Sequence, residues 1–144
     1  MINVLLADDH SRVLESLRSL LESVEDIQLV ATATDGVEAI IQAFLSCPDV
    51  VILDISMPHM DGIQAIRKIR ARCPSTRVMM LSMFDSPEYI QRSIEEGALG
   101  YVLKEDISKD LLAAVRAVSE GNTFFSEKIA SIAKQYIDLN GKDT

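Results

Sequence analysis

The sequence predicts a doubly wound α/β domain with a five-stranded parallel sheet, on two observations. Strand and helix patterns alternate five times along the chain, and the apolar runs 4–7, 50–53 and 78–81 lack the in–out alternation of a half-exposed strand. Such runs are buried on both faces of a parallel sheet. Right-handed crossovers then distribute the helices over both sides. A chain of 144 residues with 48% hydrophobic content suits one domain around one core.

The elements follow in order. The first apolar run ends on Asp8 and Asp9, after which Val13, Leu14, Leu17, Leu20, Leu21 and Val24 recur at helical spacing. Residues 29–33 read as a second strand. Asp35 followed by Glu38 has the form of a capping box and opens a helix striped with Val37, Ile40, Ile41, Phe44 and Leu45. The third strand ends on Asp54, and Ile63, Ile66 and Ile69 mark a third helix. Cys47-Pro48 and Cys73-Pro74 each follow a helical pattern and precede an apolar run, where proline stops a helix. Neither cysteine belongs to a CxxC pair or a histidine cluster, so both are expected to pack helix ends rather than form a disulfide or bind metal.

The fourth strand ends on Ser82. Ser86-Pro87 then supplies an N-cap and a first-turn proline for a helix whose thin stripe, Tyr89, Ile90 and Ile94, stops at Gly97. The run 101–103 ends on Lys104, and Ser108 opens a fifth helix through Leu111, Leu112, Val115 and Val118, closed by Gly121-Asn122 as a left-handed C-cap. The domain is thus expected to span 1–121. Residues 122–144 read as a C-terminal helix or linker, with Ser126 as its cap and Ile129, Ile132, Ala133, Tyr136 and Ile137 on one face. That stripe leaves open whether the helix covers its own domain or a partner.

Composition narrows the function. With 22 acidic against 14 basic residues and a net charge of −8, these residues would repel a phosphate backbone and are a poor candidate for touching DNA. No apolar run is long enough for a membrane span, and no charged stretch leads into an apolar one as in a secretory signal, so a cytoplasmic protein is expected.

The chemistry lies at the run endings. Asp8, Asp9, Asp54, Ser82 and Lys104 all follow parallel strands and converge at the carboxyl edge, where open α/β sheets bind ligands. The acids repel one another unless a hard divalent cation such as Mg2+ neutralises them, taking carboxylates and a backbone carbonyl near Ser56 as ligands. Asp54 is the natural nucleophile toward phosphorus, giving an aspartyl-phosphate. Lys104 would pair with the phosphoryl oxygens, and the Ser82 hydroxyl could donate to the same group.

The segment Leu53-Asp54-Ile55-Ser56-Met57-Pro58-His59-Met60-Asp61-Gly62 resembles the phosphoacceptor segment of bacterial two-component response-regulator receiver domains. The likeness covers about residues 2–121 and includes Asp8-Asp9, Ser82 at the family's Ser/Thr switch position, Tyr101 at its aromatic switch position, and Lys104. Ala7-Asp8-Asp9-His10, Leu81-Ser82-Met83-Phe84 and residues 100–104 resemble the NarL/FixJ (LuxR-type) branch, and residues 121–126 its link toward a helix-turn-helix output domain.

The resemblance implies a CheY-like, flavodoxin-like sheet of order 2-1-3-4-5. It also implies that a sensor histidine kinase, or a small phosphodonor, phosphorylates Asp54 with Mg2+ held by Asp9, Asp54 and the Ser56 carbonyl, and by Asp8 through water. Ser82 and Lys104 would hold the phosphoryl group while Tyr101 turns inward. The chain would then be a switch rather than an enzyme, its only reactions self-catalysed phosphotransfer and dephosphorylation. It would form a homodimer on phosphorylation and regulate transcription through a DNA-binding effector domain that does not follow Thr144, leaving either a truncated chain or a receiver without an attached effector. Two positions depart from the pattern. Glu105 stands where proline often follows the lysine, and Met83, in place of alanine or glycine, narrows phosphodonor access. His10 and His59, flanking the site, are read as loop residues.

Two other classes compete. A haloacid-dehalogenase-type phosphatase also uses a strand-end aspartate and Mg2+, but needs a second aspartate where this chain has Ser56. An interaction module indifferent to phosphorylation would use the fourth helix and the fifth strand and helix as its surface.

Overall fold

The computed structural model describes residues 1–58 and 60–142; His59 lies outside them. The elements are β1 (Ile2–Ala7), α1 (Ser11–Glu22), β2 (Ile27–Ala33), α2 (Gly36–Ser46), β3 (Val50–Asp54), α3 (Gly62–Arg72), β4 (Arg77–Ser82), α4 (Pro87–Glu96), β5 (Gly100–Leu103), α5 (Ile107–Ser119), β6 (Phe124–Phe125) and α6 (Ala130–Lys142). The strands form one parallel sheet of order β2-β1-β3-β4-β5-β6. The expected 2-1-3-4-5 order is present, and the expected count of five is corrected to six. Phe124 and Phe125 pair with Gly100 and Tyr101 and extend the sheet by one short edge strand.

Strand alternation assigns each helix to a face. Leu5, Val51, Leu53, Val78, Met80 and Tyr101 point into a core closed by α2, α3, α4 and α6. Val4, Leu6, Val50, Ile52, Met79 and Val102 meet α1 and α5 on the other side. The unalternated apolar runs are therefore buried on both faces, as their composition requires.

Local signals account for several boundaries. The Asp35 carboxylate accepts the Glu38 N–H at 2.7 Å, while Glu38 reaches back to the Thr34 N–H and hydroxyl, one residue outside the usual box. Asp61 caps α3 by accepting the Gln64 N–H at 2.8 Å. A 3₁₀ turn over Lys104–Asp106 leads into α5, which starts at Ile107 rather than Ser108. Ser126 precedes a second such turn, Glu127–Ile129. Its side chain does not cap that turn; it accepts the Leu103 N–H at 2.9 Å, while the Ser126 N–H donates to the Tyr101 carbonyl at 3.1 Å. These bonds carry α6 back across α4, where Ile132, Ala133, Tyr136 and Ile137 join the core.

The cysteine expectation is corrected: Cys47 and Cys73 form a disulfide. They cap the C-terminal ends of α2 and α3, which are neighbours on one face of the sheet. A topological neighbour 26 positions away in sequence is invisible to a search for clustered ligands.

Candidate functional site

Three strands deliver the site. β1 runs into Asp8 and Asp9, β3 ends on Asp54, and Lys104 follows β5. Asp8 is fully buried and Asp54 is 3% exposed, while Asp9 and His10 lie outward. Lys104 Nζ sits 2.9 Å from Asp8 Oδ2 and 3.2 Å from Asp54 Oδ2, bridging the two buried acids. The Ser56 N–H donates to Asp54 Oδ1 at 3.2 Å, which places that residue beside the carboxylate.

Burial, and next the Asp8 carboxylate, push the Asp54 carboxyl up from its ordinary value to about 6, against the lowering effect of Lys104 and the Ser56 amide. Burial pulls the Lys104 ammonium down, but Asp8 and Asp54 outweigh it and the net shift is upward. One cation thus faces more negative charge than it neutralises. One ligand atom each from Asp8, Asp9, His10 and Asp54 lies within 4.8 Å of the others, and the Lys104 ammonium at 2.9 Å is the counter-charge of the buried Asp8 Oδ2. Hard oxygen donors with unmet demand for positive charge fit a divalent ion such as Mg2+.

Ser82 ends β4 and Tyr101 lies in the neighbouring strand β5. Ser82 is fully buried and its Oγ accepts the Phe84 N–H at 2.8 Å. With Met83, Leu103 and Lys104 it lines a cavity of about 320 Å³ beside the acids. The Tyr101 ring is fully buried and already turned inward, its hydroxyl donating to the Phe84 carbonyl at 2.7 Å. Burial raises that phenol to about 12, so it remains a donor. Phe84 in turn stacks on Tyr89 of α4, ring centroids 5.0 Å apart. Met83 is 74% exposed at the rim.

Sequence reasoning overlooked three contributors. His10, read as a loop residue, holds Nδ1 3.1 Å from Asp9 Oδ1 and 3.2 Å from Asp8 Oδ1. Its position directly after two acids was the available signal. Gly62, given no role of its own in the sequence, sits so close to the Asp54 main chain that a Cβ there would lie 2.4 Å from the Asp54 carbonyl oxygen. Lys128 of the turn before α6 pairs with Asp85 at 3.2 Å and Glu105 at 3.8 Å, spanning the loops after β4 and β5. Nothing local in the sequence marks Lys128.

A parallel five-plus-one sheet whose carboxyl edge gathers three aspartates and a lysine has the architecture expected of a receiver domain. Comparison with known proteins agrees: residues 4–116 match the response regulator receiver domain, and the chain belongs to that family. It is 38% identical to the oxygen regulatory protein NreC of Staphylococcus epidermidis over 99% of its own length and 66% of NreC's, so it spans about two thirds of that relative. Among solved structures it is similar to a two-component response regulator of the LuxR family from Aurantimonas sp. SI85-9A1, with a TM-score of 0.88, 31% identity, and 94% and 96% of the two chains covered. It is also similar to the RcsB response regulator of Salmonella typhimurium, with a TM-score of 0.86, 31% identity, and 93% and 70% covered. These relatives place it in the NarL/LuxR branch. Among the described residues no helix is long and apolar enough to cross a membrane.

Proposed function

We propose that this domain is a phosphorylation-dependent switch that accepts a phosphoryl group from a sensor histidine kinase on Asp54 and reports it to a DNA-binding output in transcription regulation. The observation that carries the reading is the Asp54 carboxylate, held at a strand end beside a second buried acid, Asp8, with the Lys104 ammonium bridging both. An Asp54 oxygen attacks phosphorus as the donor's leaving group departs, and the product is an aspartyl-phosphate. Asp9, Asp54, the Ser56 carbonyl and, through water, Asp8 would hold Mg2+, which would supply the charge neutralisation the transfer needs. Lys104 already contacts the Asp54 oxygen and would follow the new anion.

Ser82 gives the readout. Its hydroxyl now accepts from the Phe84 amide, and its movement toward a phosphoryl oxygen to donate there would stretch that bond. The loop from Met83 to Ser86 must then repack against Tyr101 and Tyr89, which passes the change to α4 and the helix α6 lying on it. The domain in this reading turns over no external substrate; phosphotransfer and loss of its own phosphate are its reactions. A cytoplasmic location, homodimerisation on phosphorylation, and DNA contact only through an effector region complete the proposal. A link to DNA has support among the relatives, since the RcsB response regulator interacts with DNA.

Acetyl phosphate or phosphoramidate with Mg2+ should add about one phosphate mass to the chain, and Asp54→Asn should abolish the addition. An unmodified mass after incubation with both donors and a cognate kinase would sink the reading.

A further inference from the structure

The Cys47–Cys73 disulfide lies at the amino edge of the sheet, opposite the acids, and neither the phosphoryl chemistry nor the receiver comparison uses it. Its two halves differ. Cys47 is exposed and sits in the left-handed region at φ 38°, a conformation that glycine or asparagine usually supplies at a helix end. Proline follows it, which further disfavours helical backbone angles. Cys73 is 2% exposed.

The surroundings accommodate both redox states. Cys73 Sγ lies 3.5 Å from the Ala43 carbonyl oxygen, so a freed thiol finds an acceptor already in place. The Thr76 hydroxyl donates to the Pro48 carbonyl at 2.6 Å and the Arg77 N–H to the Asp49 carbonyl at 3.0 Å. Those bonds join the same two loops without sulfur. These two loops therefore have non-covalent links beside the disulfide, while Cys47 is held in an unfavourable backbone conformation next to it.

We propose that Cys47–Cys73 is a reversible thiol-exchange site, entered through Cys47, whose redox state sets the stability of the α2 and α3 ends independently of the phosphoacceptor. A thiolate of a dithiol reductant attacks Cys47 Sγ, the S–S bond breaks, and Cys73 leaves as a thiolate that takes up a proton. The reductant's second thiolate attacks the mixed disulfide, becomes oxidised to its own disulfide, and frees Cys47 as the thiol. Oxidation by a small disulfide reverses the sequence.

The test equilibrates the full chain in buffers from fully reduced to fully oxidised glutathione, then quenches with an alkylating agent and counts labels by mass. Doubly labelled and unlabelled chains should interconvert across the series, with the reduced form melting roughly 10 °C lower. A Cys73→Ser chain should take one glutathione at Cys47, whereas Cys47→Asn, which keeps a residue suited to the left-handed cap, should leave Cys73 unmodified while folded. The double variant Cys47→Asn/Cys73→Ser should melt at one temperature in every buffer. Two labels at every ratio would overturn the proposal, as would a bond that stays closed in excess dithiothreitol, preferential modification of Cys73, or a redox-dependent melt in the double variant.

Discussion

The two edges of this sheet are held together in opposite ways. At the amino edge the loops after α2 and α3 are joined by a disulfide and by hydrogen bonds that satisfy every group they involve. At the carboxyl edge Asp8, Asp9 and Asp54 crowd together, and the Lys104 ammonium contacts both buried acids, Asp8 and Asp54. The same strands serve both, since β3 and β4 start at the clamped edge and end on Asp54 and Ser82. A firm amino edge lets the chain hold like charges in contact at the other, where a ligand can relieve them.

Three further measurements probe that contrast, beginning with the largest effect. Lys104→Met removes the ammonium that bridges both buried acids. It should lower stability at pH 7.5 by roughly 3 kcal/mol, as when one partner of a buried ion pair is deleted, read from urea midpoints. Saturating Mg2+ should restore part of the loss, and a variant as stable as the parent without metal would mean the acids need no counter-charge. The second measurement uses pH. The Asp54 carboxyl has a folded-state value raised to about 6, so the folded chain binds that proton more tightly than the unfolded chain does. The associated stability is full below the unfolded value near 4 and lost as pH rises through about 6. Asp54→Asn should therefore be the more stable chain at pH 7.5, by at most about 2 kcal/mol after solvent screening, and the gap should close toward pH 4.5. A gap that widens on acidification would contradict the assignment. The smallest effect belongs to the other edge. Thr76→Val leaves the Pro48 carbonyl without its donor and should cost about 1 kcal/mol with no change in the pH profile.

Much of this architecture was readable from residue order. Unalternated apolar runs identify doubly buried strands, and the acid or base ending each run locates the site, because a parallel sheet brings all carboxyl ends to one edge. What escaped depended on distance in three dimensions. Phe124 and Phe125 are too few to show a strand period, and they pair only because Gly121 turns the chain after α5 at φ 86°. The cysteines meet because α2 and α3 are adjacent and end at the same level. Ser126 has the residue type of a cap, but its hydroxyl serves the Leu103 amide of β5 instead. The inward Tyr101 ring likewise depends on a carbonyl, that of Phe84, which side-chain patterns do not reveal.

The contact between Gly62 and the Asp54 main chain has a consequence for anyone moving such a site to another scaffold. The position of the nucleophile is set through its own carbonyl, against which the first turn of α3 rests with no room for a β-carbon. Grafting the three aspartates and the lysine onto a foreign parallel sheet would copy the charges and omit the stop that locates them. The transferable unit is the strand, the loop and that glycine together, with the helix start serving as a gauge for where the carboxylate comes to rest.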